Sequence, residues 1–99
     1  MIDDVTTHVH VLTVRLHIPQ ARSLKDKRMV VKSLKAQIRN KFNVSIAELD
    51  ALDKWQVAIL GVAMIGNENR LLHSTAQNII SFIERFGLAD LCETNIQEY

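Results

Sequence analysis

The chain has 99 residues, 47% of them apolar and 23% charged, with one cysteine and a formal net charge of +1. That is enough for a single domain with its own core, and it excludes a disulfide scaffold, a disordered tail and a strongly polyanionic or polycationic protein. The opening MIDDVTTHVH is acidic and lacks a secretory leader pattern, and no apolar run reaches the ~20 residues of a membrane span. A cytoplasmic protein with no membrane association is therefore expected.

Residues 1–7 read as a short tail. From His8 to Ile18, HVHVLTVRLHI alternates in the manner of a strand. Leu12, Val14, Leu16 and Ile18 share one face, and Val9, Val11, Thr13, Arg15 and His17 share the other. Pro19, which has no amide donor, ends it. Ser23, with Asp26 three residues on, resembles a capping box opening a helix that runs to about Phe42. Val31, Leu34 and Ile38, with Leu24 and Phe42 at either end, form its apolar stripe.

The same helix concentrates charge. Residues 22–42 hold eight of the twelve Lys and Arg residues and one acid, Asp26. Lys25, Arg28, Lys32, Lys35 and Arg39 fall within an arc of roughly 80° beside the apolar stripe. They make a cationic ridge about 25–30 Å long. Residues 15–41 carry nine basic residues and one acid, a net of +8, whereas residues 42–99 carry three basic residues and eight acids, a net of −5.

A second strand spans about Val44–Leu49, followed by a turn flanked by Asp50 and Asp53. Trp55–Ile65, WQVAILGVAMI, reads as a central strand covered on both faces. Gly66 and Asn67 end it, and Asn67 or Asn69 is placed to cap a second helix. Leu72, Ala76, Ile79, Ile80, Ile83 and Phe86 are its core stripe and Gly87 its C′ residue. Leu88–Tyr99 supplies a last strand. The order β-α-β-β-α-β in one domain spanning residues 1–99 predicts an α+β ferredoxin-like sandwich. Its four-stranded antiparallel sheet takes the order 4-1-3-2, with both helices on one face.

Three phrases carry a resemblance: IPQARSLKDKRMVVKSLK at 18–35, KFNVSIAELD at 41–50 and WQVAILGVAMIGN at 55–67. Over about residues 9–95 the chain resembles the YlxP-like family, small bacterial proteins classed as a domain of unknown function. Most specific are Ser23, Leu24, Lys25, Lys27 and Arg28, then Phe42, Asn43, Val44, Ser45, Ala47 and Glu48. The resemblance implies a ferredoxin-like fold and genes found among those for translation initiation and ribosome assembly. It supplies no catalytic residues.

Two uses of the helix follow from its charge. As a ridge, Lys25, Arg28, Lys32, Lys35 and Arg39 suit the phosphate backbone of a structured RNA or the ribosome. As a helix start, Arg22, Ser23, Lys25 and Arg28 suit a single phosphate group, which would make the chain a phosphate-ligand-binding protein or a small phosphoester-handling enzyme. Cations crowded at the positive end of the helix dipole break a local rule, which marks that turn. The plainer reading of each is a solvated face, or ion pairs to Glu48, Asp50 or other acids of the second half. An acidic protein partner docking on the helix is a third reading.

The sheet face away from the helices shows Val9, Val11, Thr13, Val57, Ile59, Gly61 and Ala63, apolar but without the aromatics that stack RNA bases. It suits burial in a homodimer, or cover by the terminal tails. No catalytic residue, metal site or cofactor is assigned. His8 and His10 on one side of a strand are two ligands without a third. Glu48, Asp50 and Asp53 read as edge-strand charges, and nothing in the spacing joins Cys92 to His73. Arg22 with Asn43 or Asn67 fits a phosphatase loop by residue type only.

Overall fold

The computed structural model describes residues 2–99, and β-branched alternation, helical stripes and turn residues resolve there into six elements. They are β1 (His8–His17), α1 (Leu24–Lys41), β2 (Ser45–Asp50), β3 (Val57–Gly66), α2 (Asn69–Glu84) and β4 (Asp90–Glu98). The sheet order is β2-β3-β1-β4 and every pairing is antiparallel, so this is the ferredoxin-like sandwich expected from the element order. The two most apolar strands, β1 and β3, occupy the centre. Among the described residues, no helix is long and apolar enough to cross a membrane.

Register explains the core. Ile46, Val62, Leu12 and Ile96 form one row across all four strands, and partners directly opposite in a ladder point to the same face. Leu12, Val14, Leu16, Ala58, Leu60, Val62 and Met64 are buried there with Val31, Leu34 and Ile38 of α1 and Leu72, Ala76, Ile79 and Ile83 of α2. Both helices therefore cover the same side. The opposite face carries Val9, Val11, Thr13, Val57, Ile59 and Ala63, all half-buried, and Ile65, which is exposed.

Boundaries moved where side chains had other work. β3 begins at Val57 and not Trp55, because Gln56 turns its amide to the carbonyls of Pro19 and Ala21 (3.1 and 3.2 Å) and pins the loop before α1. Neither Asn67 nor Asn69 caps α2. Its N-cap is Glu68, whose carboxylate reaches the Arg70 side chain and caps no helix amide, and Asn69 Oδ1 instead faces His10 Nε2 at 2.9 Å. Arg85 is the C-cap, so Gly87, whose φ of 89° favours glycine, lies two residues beyond it.

Candidate functional site: the cationic face of the first helix

The start of α1 closes on itself. Ser23 Oγ accepts from the Asp26 amide at 3.0 Å, and Asp26 Oδ2 accepts from the Arg22 amide at 2.9 Å. This is the reciprocal pattern of a capping box with the return bond shifted one residue upstream. Its consequence for ligand binding is direct. The Arg22 and Asp26 amides and the Ser23 hydroxyl are thus already engaged with one another at the place proposed for an anion beside Arg22, Ser23, Lys25 and Arg28. Arg22, Lys25 and Arg28 are exposed and Ser23 is half-buried.

Lys27 leaves the surface altogether. It lies four residues before Val31, on the buried stripe of the helix, and is fully buried. Its Nζ meets Glu48 Oε2 at 2.7 Å and donates to the Ala51 carbonyl at 2.6 Å. Among the described residues, Glu48 Oε2 has no hydrogen-bond partner beyond that ionic contact. So the plainer reading of the crowded cations, an ion pair to Glu48, holds for Lys27.

It does not hold for the ridge. Lys25, Arg28, Lys32 and Arg39 are exposed and Lys35 is half-buried, and by helical spacing all five share one flank of α1. Among the described residues, none of them is within ion-pair distance of an acid. Arg39 spends one guanidinium nitrogen on the Ile46 carbonyl of β2 at 3.1 Å, which fixes the far end of the ridge to the sheet edge. Most acids of the second half are turned elsewhere. Glu93 faces Arg15 at 3.8 Å, Asp90 faces His17 at 3.7 Å, and Glu98 faces His73.

On the opposite flank of α1 a groove of about 730 Å³ runs between the two helices. Phe42, Phe82 and Phe86 line it with Lys41 and Arg85, and Lys41 Nζ stands 5.2 Å from the Phe82 ring centre. Sequence spacing had no means of pairing Lys41 with Phe82, since the contact depends on the helix packing angle. His10, counted among the weak signals, lies on the core face of β1 and is buried beside the start of α2. Cys92 is exposed and bonds only the Asp90 carbonyl.

Comparison with known proteins places the chain. A solved designed protein, Foldit4, superposes with a TM-score of 0.53 over 94% of this chain and 96% of its own, at 10% identity, a likeness of fold alone. The "Uncharacterized protein YlxP" of Bacillus subtilis (strain 168) is 38% identical over 69 residues, covering 70% of this chain and 75% of that protein. Residues 9–96 match the model of a family described as a protein of unknown function, DUF503, and the chain belongs to that family.

Proposed function

We propose that the protein is an RNA- or ribosome-associated binding module that docks phosphate backbone on the ridge of α1. The observation that supports this reading is the unpaired state of the ridge: five aligned cations on a rigid helix, with no acid within reach among the described residues. Like charges one helical turn apart repel, and a surface that only needed solubility would interleave acids. A phosphate backbone relieves the repulsion and releases counterions. Recognition on this surface is of backbone and shape, because the ridge offers no aromatic platform for bases.

In this reading the open sheet face, with Val11, Val57, Ile59 and Ile65, is buried in a homodimer, which would present two ridges to one RNA. The sheet therefore serves assembly and α1 serves binding. No catalytic step is part of the proposal.

The test is binding of the full chain to structured RNA as salt is raised. Five neutralised phosphates predict a loss of affinity on the order of a few hundredfold between about 50 and 200 mM salt. Arg28→Glu with Lys32→Glu, both at exposed positions, should remove most of the binding at low salt while the circular dichroism spectrum is unchanged. Affinity that survives this double reversal, or that ignores salt, would overturn the reading.

A further inference from the structure

His10 is hard to explain by packing. It occupies a core-face position of β1, opposite Met64 and next to Leu12, where an aliphatic side chain would fill the space without a polar atom to satisfy. It is fully buried, and its Nδ1 has no hydrogen-bond partner among the described residues. Buried polar nitrogens left bare are uncommon in folded proteins and cost stability.

Its other nitrogen looks toward two ligand-type side chains from two other elements. His10 Nε2 lies 3.8 Å from Glu98 Oε1 of β4, and His73 Nε2 of α2 lies 2.5 Å from the same oxygen. The His10 and His73 rings meet edge to face at 4.8 Å between centres. The donor atoms of all three residues fall within 4.8 Å of one another. His73 and Glu98 are each about half exposed, at 51% and 50%, so solvent reaches the cluster through them while His10 is buried.

We infer that His10, His73 and Glu98 form a binding site for a divalent transition-metal ion of the zinc class. Two imidazoles and one carboxylate are a donor set such ions accept, and three protein ligands leave at least one position for water. Ligand atoms about 2.0–2.1 Å from a tetrahedral zinc stand a little over 3 Å apart, within the spread already present here. Ligation through both Nε2 atoms calls for the tautomer with the proton on Nδ1 in His10 and His73 alike, with the Glu98 carboxylate as the third donor. Asn69, 2.9 Å from Nε2, orients the ring beforehand and gives way to the ion. The site lies at the β1–β4 side of the sheet, away from α1's ridge over β2, and stands or falls independently of RNA binding.

The experiment is calorimetric titration of the untagged full chain with Zn²⁺, followed by Co²⁺ substitution read in the visible spectrum. One ion per chain and a tetrahedral or five-coordinate Co²⁺ spectrum are expected. His73→Ala and Glu98→Gln, both at half-exposed positions that leave the core intact, should each weaken Zn²⁺ binding by more than about tenfold. They should also abolish the rise in Tm that Zn²⁺ gives the parent protein. His17→Ala, on the other face of β1, should bind like the parent. No binding, or binding that survives both His73→Ala and Glu98→Gln, or binding lost in His17→Ala, would each overturn the assignment.

Discussion

At Lys27 a charge enters the core because two acceptors await it there, the Glu48 carboxylate and the Ala51 carbonyl. Such a pair is costly to desolvate and costlier to break. Lys27→Ala or Glu48→Ala should each lower stability by about 3–5 kcal/mol in urea unfolding, the larger loss falling on the variant that strands the more deeply buried partner. The double replacement Lys27→Met with Glu48→Leu should recover most of it. The carbonyl that Lys27 holds belongs to a residue of unusual backbone. Ala51 has a φ of 60°, a left-handed conformation that costs a residue with a Cβ about 1–2 kcal/mol. Ala51→Gly should therefore stabilise the protein by about 1 kcal/mol, a rise visible in the urea midpoint.

The two helices differ at their starts. α1 has a side-chain cap and an acid in its first turn, whereas α2 has neither. Ser23→Ala should cost about 1 kcal/mol, and Glu68→Ser should add about 0.5–1 kcal/mol, both measured by thermal or urea unfolding. The amphipathic stripes of both helices were legible in the sequence because burial repeats at the helical period. Lys27 was legible too, in hindsight, since it continues the line of Val31, Leu34 and Ile38 while facing a strand that carries Glu48. Asn69 was not. Its type suits a cap, and only the register of β1 against β3 and β4 brings His10 within its reach. The gathering of His10, His73 and Glu98 has the same origin: three elements, no common spacing, and a side-chain contact that exists only once the sheet has closed.

Across the molecule, strand order separates the surfaces. The ridge is tied to β2 through Arg39, the histidine cluster joins β1, β4 and α2, and the apolar face lies on the other side of the sheet. The proposed homodimer predicts that Ile59→Glu, placed centrally on that face, converts a dimer to a monomer in analytical ultracentrifugation without unfolding it. A parent chain already monomeric at micromolar concentration would rule the dimer out. The topology itself was legible because β-α-β-β-α-β leaves few right-handed arrangements, and because the apolar density of β1 and β3 marked them as central. Whether the charges of the second half would pair with α1 was not legible, since each acid's direction depends on which strand edge it occupies.

The central place of β1 has a consequence for how the chain reaches its fold. β1 pairs with β3 on one side and, on the other, with β4, which lies some eighty residues further along the chain, His10 lying opposite Glu98. One apolar edge of β1 stays unpaired until residues 90–98 have emerged to cover it. Pairing so distant in sequence slows the search for the native state, and refolding from urea should fall among slow two-state α/β domains. The same delay makes β1 the segment most in need of protection from other chains while it waits.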